Sequence, residues 1–507
     1  MIVIQSIDYA AIAPLLVVAV TGIVVLLADA FGLPRRAVGL LGGAGLLAGL
    51  AAVSALAGGP RRATFCLPPG LRTPGPAGRA PGLPSCSYVA DDFTLLFQGL
   101  ILAAALIVVL LSLGEITRSR LPAGEFHFLL LAAITGALTV AAARDLIMLV
   151  VALETLSLPV FALVALRRYD GVASEAALKL FLFSVVSTAV TLFGISLVYG
   201  VTGAMHLDRI AAALARTPAD LEPVAAVGVV LVLAGFAFKI AAVPFHFWAP
   251  DVYQGAPLPV AAFLSVVSKA GGFAGLTIVL VVGFPAYART WGLVIGVLAA
   301  ATMSLGNLVA LRQRHAVRLL AWSSIAQAGY VLAALTLGGP GVQAALVYAV
   351  FFMILEFIAF AAVVALRPPA SDGGDMLAYR GAARRSPWLG AALVLAFAGL
   401  AGLPPGLAGL FAKVTVIDVL VDQGWGWLAG VVALNAVIGL AYYVRATTNL
   451  YATAPRRGIQ IVDPGLLEAA THPRLPVARP VAAALIAATA AAVVLGFAPQ
   501  LLFNALT

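Results

Sequence analysis

Long apolar runs recur along nearly the whole chain, and this feature limits its fold more than any other. A helix needs about 20 apolar residues to cross the hydrocarbon layer of a bilayer, and runs of that length follow one another through the 507 residues. Only 10% of the residues are charged, against about 25% in a soluble domain. We therefore predict an all-α polytopic membrane protein that forms a single membrane domain over residues 1–507.

About fourteen transmembrane helices are expected from the apolar runs, and two of them are interrupted. Pro244 follows Lys239, and Gly402, Pro404 and Pro405 precede Lys413. Broken helices at membrane depth are tolerated where they line a cavity or a polar path, and paired breaks indicate an internal repeat. The predicted segments are a three-helix N-terminal segment at 1–125, five-helix repeats at 126–281 and 291–450, and a C-terminal loop with the last helix at 451–507.

The loop at 59–91 contains Cys66 and Cys86, the two cysteines of the chain. They form no C-x-x-C pair, which argues against an iron–sulfur or zinc site. Most loop arginines fall on the cytoplasmic side if the N-terminus is outside, and this orientation places the cysteine loop outside, where a disulfide can form.

The formal net charge of +9 then reflects loop arginines that set the membrane topology, and not a nucleic-acid partner. The first thirty residues read as a first span, because they carry Asp8 and no basic n-region.

A glycine-rich run, GLLGGAGLLAG at 39–49, misses the G-x-G-x-x-G spacing of a dinucleotide-binding loop and lies inside an apolar span. It predicts close packing of helices through small residues.

The chain contains four lysines, and they lie in or near apolar runs: Lys179, Lys239, Lys269 and Lys413. A lysine at mid-bilayer costs about 2.5 to 3.5 kcal/mol on insertion scales, so several such residues indicate a function. A buried lysine can be tuned to gain and lose a proton near neutral pH, whereas arginine stays protonated. The pattern therefore predicts a proton relay.

Two carboxylates, Glu154 and Glu356, also lie deep in apolar runs, where each could pair with a lysine. For both carboxylates, and for Lys239, Lys269 and Lys413, a purely structural ion pair is the alternative. Lys179 lies near a helix end and is either a relay residue or a snorkelling anchor. His246 is expected to cap the second half of the first broken helix, and it either passes protons to water or makes a structural hydrogen bond.

Several stretches of the sequence together resemble the antiporter-like subunits of respiratory complex I, the NADH:quinone oxidoreductase. The variant with DVYQGAP and SKAGGF is most similar to the subunit N family, the counterpart of mitochondrial NADH dehydrogenase subunit 2. These stretches cover most of residues 145–415 and read FKIAAVPFHFWAPDVYQGAPLPVAAFLSVVSKAGGF, LETLSLPVFALVA, SEAALKLFLF, NLVALRQRHAVRLLAWSSIAQAGY and GLPPGLAGLFAK.

The resemblance implies fourteen helices, with two inverted five-helix repeats broken at the seventh and twelfth helices. It implies that Glu154 pairs with Lys239, that Lys269 is a central relay and that Lys413 is the far terminal residue of one proton channel. It also implies a bacterial cytoplasmic membrane. No cofactor is expected in this chain, and NADH, FMN, iron–sulfur clusters and quinone are expected in partner subunits. The partners would be neighbouring antiporter-like and small membrane subunits and the peripheral arm.

The chain departs from the family pattern at Gln327, where a histidine is frequent, and at Arg318, which stands where a basic pair is frequent. Glutamine carries no proton, so the relay between Lys269 and Lys413 is expected to use water or Glu356. Three alternatives stay open: a subunit of a multisubunit cation/proton antiporter, a subunit of a ferredoxin- or hydrogenase-linked complex, and a membrane scaffold that has lost pumping.

Overall fold

The computed structural model describes residues 7–68, 85–367, 373–453 and 477–505. The middle of the predicted outer loop, 69–84, and most of the predicted C-terminal loop, 454–476, lie outside the described residues. Within the described ranges, 12 helices are long and apolar enough to cross a membrane. The prediction of a polytopic helical membrane protein is thereby confirmed.

Twenty α-helices and two strands make up the described fold. In chain order they are α1 Ala13–Ala30, α2 Arg35–Leu56, β1 Arg62–Cys66, β2 Cys86–Ala90, α3 Asp92–Arg118, α4 Ala123–Ala142, α5 Leu146–Val164, α6 Gly171–Thr202, α7 Leu207–Leu214, α8 Glu222–Lys239, α9 Trp248–Gly255, α10 Leu258–Phe263, α11 Lys269–Ile278, α12 Ala288–Ala310, α13 Ala316–Leu335, α14 Val342–Leu366, α15 Ala382–Arg385, α16 Pro387–Ala401, α17 Leu407–Asp422, α18 Gly426–Tyr451, α19 Arg479–Phe497 and α20 Gln500–Ala505. A π-helical turn, Leu264–Ser268, joins α10 to α11 within one continuous span, and a second, Val279–Gly283, ends it.

Glycines in α2 allow it to approach α1 closely. A Cβ added to Gly45 would lie 2.6 Å from the Cβ of Thr21, so no larger residue fits at this crossing without a shift. This contact agrees with the helix-packing interpretation of the glycine-rich run, since small residues let two membrane helices come together.

The described part of the cysteine-containing loop forms a two-stranded antiparallel sheet that holds a disulfide. Cys66 lies opposite Cys86 in the register of β1 and β2, and their sulfur atoms are bonded. The hairpin leads into α3, where the Asp91 side chain accepts from the Thr94 backbone N–H, and Arg144 forms an ion pair with Asp91 at 2.8 Å. Burial opposes ionisation of Asp91, but the Arg144 charge and the Thr94 N–H outweigh it and lower the pKa of this carboxyl.

Two helix pairs cross in the same way at different places in the chain. Between α4 and α5, a Cβ on Gly136 would lie 2.3 Å from the backbone nitrogen of Leu156. Between α12 and α13, a Cβ on Gly306 would lie 2.7 Å from the backbone nitrogen of Ala326. Each pair is therefore closed by one glycine against the backbone of the following helix.

The residues just before α5 and α13 are also held alike. Asp145, which precedes α5, makes an isolated antiparallel bridge with His206. His315, which precedes α13, makes the same kind of bridge with Asp375. The start of α5 is therefore bonded to the connection after α6, and the start of α13 is bonded to the connection after α14.

The first break separates α8 from α9, as predicted. The Ala242 N–H donates to the Ala237 carbonyl at 2.8 Å and closes the end of α8. Ala241 has a left-handed backbone with φ of 58°, and the peptide bond of Val243–Pro244 is cis. The chain resumes a helix at Trp248.

The second break separates α16 from α17 and repeats this geometry. The Leu403 N–H donates to the Ala398 carbonyl at 2.9 Å. Gly402 has φ of 83°, and the peptide bond of Pro404–Pro405 is cis. Gly402 stands three residues before its cis proline, as Ala241 does before Pro244, so the two breaks share one backbone path.

Candidate functional site

Lys239 ends α8 and is buried, with 8% of its surface exposed. Its Nζ donates to Ser157 Oγ at 2.8 Å, while Glu154 on α5 accepts from Thr188 Oγ1 at 2.5 Å. Glu154 and Lys239 line one cavity of about 30 Å³, which is room for about two water molecules. The two side chains do not form the direct ion pair that the resemblance implies, and the cavity lies between their hydrogen-bond partners.

A second, smaller cavity lies on the other side of Lys239. It has a volume of about 10 Å³ and is lined by Ser157, Trp248 and Ser268. Ser268 Oγ is buried and has no hydrogen-bond partner in the described part of the chain. The cavity therefore extends from Lys239 to Ser268, the residue directly before Lys269.

Lys269 is the first residue of α11, where the π-helical turn 264–268 returns to regular helix. It is 1% exposed, and its Nζ donates to the carbonyl oxygen of Ser324 at 2.7 Å and to Ser324 Oγ at 2.6 Å. π-helical turns inside α-helices are frequent at functional sites. The side chain is thereby held on α13, across the interior of the bundle.

Glu356, on α14, is fully buried and lies at the end of a short polar chain that starts at Lys269. Ser265 Oγ donates to Glu356 Oε1 at 2.9 Å and lies 3.0 Å from Ser324 Oγ. Glu356 Oε2 is buried and has no hydrogen-bond partner among the described residues. Two serine hydroxyls therefore connect a buried lysine to a buried carboxylate.

Lys413 lies on α17 and turns back to the break in the second interrupted helix. Its Nζ donates to the carbonyl oxygens of Leu400 at 2.7 Å and Ala401 at 2.8 Å, and it lies 5.0 Å from the centre of the Tyr330 ring. These carbonyls end α16, where the helix dipole is negative. A cation is therefore stabilised at this break.

Gln327 connects to Lys413 through a shared acceptor. Its Nε2 donates to the carbonyl oxygen of Leu400 at 3.0 Å and to the Tyr443 hydroxyl at 3.1 Å, and its Oε1 accepts from Tyr348 at 2.5 Å. Sequence reasoning missed both tyrosines, because a neutral aromatic residue in an apolar helix looks like core packing.

Lys179 lies apart from these buried groups. Its side chain is 39% exposed and forms ion pairs at 2.8 Å with Glu175 and with Asp251. Arg318 pairs with the other oxygen of Asp251 at 2.7 Å. The geometry favours the anchor alternative for Lys179. It also identifies Asp251, which sequence reasoning missed, as a carboxylate that ties α6 and α13 to α9.

His246 is buried in the first break, with 2% of its surface exposed. Its ring lies 4.4 Å from that of Phe247 and 5.4 Å from that of Trp322, between ring centres. Helix α9 begins at Trp248 without a side-chain cap, so the prediction that His246 caps it is wrong. The imidazole packs against these two aromatic rings instead.

The described ranges contain no group of three or more His, Cys, Asp or Glu side chains that could hold a metal ion. The buried lysines and carboxylates instead hydrogen-bond to hydroxyl groups and to backbone carbonyl oxygens. Such an arrangement can bind and release protons, with water completing the path where the side chains do not touch.

Comparisons with known proteins agree with this architecture. A family model for the transmembrane region of NADH:quinone oxidoreductase and Mrp antiporters matches residues 143–439. NADH-quinone oxidoreductase subunit N 2 of Streptomyces griseus is 48% identical over 98% of this chain and 93% of the relative. Subunit N of Salinispora tropica is 47% identical over 99% of each chain.

Solved structures carry the same fold. A chain of respiratory complex I from Thermus thermophilus aligns with a TM-score of 0.76 at 32% identity, over 97% of this chain and 99% of that one. A chain of the Mrp complex from Dietzia aligns with a TM-score of 0.81 at 22% identity, which shows a shared fold alone. The chain belongs to the NADH:quinone oxidoreductase/Mrp antiporter membrane family and, within it, to the subunit N family of NADH-quinone oxidoreductases.

Proposed function

We propose that the chain is a proton-translocating membrane subunit of a complex I-type NADH:quinone oxidoreductase in a bacterial cytoplasmic membrane. One observation carries this proposal. Buried lysines lie at both helix breaks and between them: Lys239 and Lys269 donate to serine hydroxyls, Lys413 donates to backbone carbonyls, and a small cavity separates Lys239 from Glu154. The family membership supplies the enzyme to which such a subunit belongs.

The proton path begins at Glu154 and passes the water-sized cavity to Lys239. The second cavity reaches Ser268, the residue before Lys269, and Ser324 and Ser265 continue from Lys269 to Glu356. Gln327 cannot carry a proton itself, so water is needed for the last step to Lys413. The hydroxyl of Tyr443, which contacts both Ser323 and Gln327, orients that water.

The membrane fold has fourteen transmembrane helices in this proposal, with α13 and the α16–α17 pair added to the 12 long apolar spans. The matching glycine crossings, the matching bridges and the shared geometry of the breaks support two five-helix repeats. The repeats are inverted in the membrane, with the N-terminus outside.

The redox steps take place in partner subunits, where NADH, FMN, iron–sulfur clusters and quinone bind. The partners are the neighbouring antiporter-like and small membrane subunits and the peripheral arm. Moving one proton against 100 mV costs about 2.3 kcal/mol, and this energy comes from quinone reduction elsewhere in the complex. Displacement of charge along the buried groups from Glu154 to Lys413 transmits this energy through the chain.

Lys239→Ala tests the proposal. The variant complex is expected to lose most of its quinone-dependent NADH oxidation, while NADH oxidation by a soluble acceptor stays at the wild-type rate. Arg36→Gln, at an exposed arginine of α2, is the control and leaves both activities unchanged. Wild-type quinone reduction and proton pumping in Lys239→Ala would refute the assigned role, and equal loss of both activities would indicate failed assembly.

Co-purification separates this function from the antiporter alternative. Mild detergent extraction of the chain is expected to recover an assembly with flavin and iron–sulfur subunits that reduces quinone with NADH. Recovery of small antiporter subunits alone, without redox activity, would assign the buried lysines to cation/proton exchange instead.

A further inference from the structure

A wide apolar groove lies between α16 and α19, outside the buried charges that run from Glu154 to Lys413. Its volume is about 640 Å³, and its lining includes Trp388 and Leu395 from α16, Leu485 and Ala490 from α19, and Pro405 from the break. Such a volume lies within the range of sites that hold a sizeable ligand. The groove is therefore large enough for part of an amphiphilic molecule.

The two helices that form the groove run in the same direction. Their C-terminal ends lie together, because a Cβ on Gly496 of α19 would lie 3.6 Å from the Cβ of Leu407, just past the break that ends α16. Trp388 at the start of α16 and Leu485 near the start of α19 line the opposite end. The groove thus extends from one membrane boundary to the broken part of the second interrupted helix.

The end of the groove at the helix starts is positively charged. Arg384 precedes α16, Arg479 begins α19, and both are exposed. Among the described residues, no side chain caps either helix start, so backbone N–H groups add to the positive end of each helix dipole. Trp388 is 46% exposed, as is typical of aromatic residues at the headgroup level of a bilayer.

We propose that this groove binds one anionic phospholipid. The acyl chain lies along the apolar lining and ends against Pro405, and the phosphate lies at Arg384 and Arg479. The occupant follows from charge complementarity and position: an apolar groove at membrane depth with cations at one boundary matches a molecule with an anionic head and an apolar tail. The site is separate from the proton path, so it does not depend on the function proposed above.

The site has a consequence for the second broken helix. Pro405 belongs to the break whose carbonyls at Leu400 and Ala401 hold Lys413. An acyl chain bound in the groove would contact this proline continuously, whereas bulk lipid at the same place would exchange. The lipid therefore stabilises the backbone on which Lys413 depends.

Photo-crosslinking tests the proposal. The complex containing this chain is reconstituted in phosphatidylcholine vesicles with a trace of phosphatidylglycerol that carries a diazirine in its acyl chain. Peptide mass spectrometry then maps the labelled residues. Labelling of 387–401 and 479–497 is expected to exceed, by at least fivefold, that obtained with phosphatidylcholine carrying the same diazirine.

Two variants separate the tail site from the head site, and each is checked for assembly by size-exclusion chromatography. Ala490→Trp fills the groove and is expected to lower labelling at least fivefold, while the control Val437→Trp, at a 67% exposed position of α18, leaves it unchanged. The double change Arg384→Gln and Arg479→Gln is expected to remove the preference for phosphatidylglycerol. Arg36→Gln, at another exposed arginine, keeps it.

Three results would overturn the proposal. One is equal labelling of the groove by the two lipids in the wild-type complex. Another is labelling that is unaffected by Ala490→Trp. The third is labelling of a helix of a neighbouring subunit without labelling of the groove, which would indicate that protein and not lipid covers the groove.

Discussion

Lys269 and Glu356 are joined through two serine hydroxyls. Lys269 donates to Ser324, Ser324 contacts Ser265, and Ser265 donates to the carboxylate. Each donor–acceptor distance is 3.0 Å or less, so a proton or a charge displacement can pass along the chain without a direct ion pair. Burying the lysine and the carboxylate is costly unless both are hydrogen-bonded, which is what the serines provide.

Glu356→Gln is expected to lower the number of protons pumped per electron, because an amide cannot exchange the proton that the carboxylate accepts. Acidification by inverted vesicles is measured together with NADH oxidation. Glu175→Gln, at a carboxylate whose side chain is 66% exposed, serves as the control and keeps the wild-type ratio. An unchanged ratio in Glu356→Gln would exclude this residue from the relay.

Gly402→Ala is expected to distort the backbone at the second break, between α16 and α17. A Cβ at this position would lie 2.8 Å from Lys413 Cδ, and the left-handed backbone adds about 1–2 kcal/mol for any residue with a Cβ. Lys413 must then move from its two carbonyl acceptors. We expect a several-fold loss of quinone-dependent turnover and a lower melting temperature.

The matched control for that change lies at the first break. Ala241→Gly keeps the same type of backbone conformation and removes a Cβ, so the melting temperature is expected to stay equal or rise. A Gly402→Ala complex that melts and turns over like wild type would show that the break accommodates the side chain.

Arg144→Gln is expected to lower stability at pH 7 and to lose that effect in acid. The Arg144 charge and the Thr94 N–H lower the pKa of Asp91 against the opposing effect of burial, so the carboxylate stabilises the fold above its unfolded pKa of about 3.9. This stabilisation disappears as the pH falls through the lowered value. Melting temperatures of wild type and variant are measured from pH 7 downward.

The difference between the two melting temperatures should shrink steadily below about pH 4. Arg289→Gln, at an exposed arginine before the apolar part of α12, is expected to show no such convergence. A gap between wild type and Arg144→Gln that stays constant with pH would mean that Asp91 is not its source.

Cys66 and Cys86 are expected to resist a membrane-impermeant maleimide in intact cells until an impermeant reductant is added. The disulfide between them blocks both thiols, and the proposed outside location makes them accessible once reduced. Cys86→Ser should leave Cys66, the more exposed of the two cysteines, reactive without reduction, which serves as the positive control. Labelling of both wild-type cysteines before reduction would refute the bridge, and no labelling after it would place the hairpin on the other side.

Much of the fold could be predicted because its causes are local. Apolar runs of membrane length predict spans, and proline and glycine beside a lysine predict a break, since neither requires knowledge of distant residues. Lys239, Lys269 and Lys413 stood out for the same reason, because a lysine in an apolar run is rare whatever surrounds it. The bridge between the two cysteines also followed, from their shared loop and its expected location.

The sequence by itself determined that the chain crosses the membrane many times, where two helices break, and which buried charges need partners. Only the tertiary structure decided those partners: Ser265 and Glu356 are 91 residues apart, and Gln327 and Leu400 are 73 apart. Serine, glutamine and tyrosine side chains gain a role only when another helix brings a donor or acceptor within about 3 Å. That approach is set by helix packing, which depends on all the spans together and is not encoded in any single one.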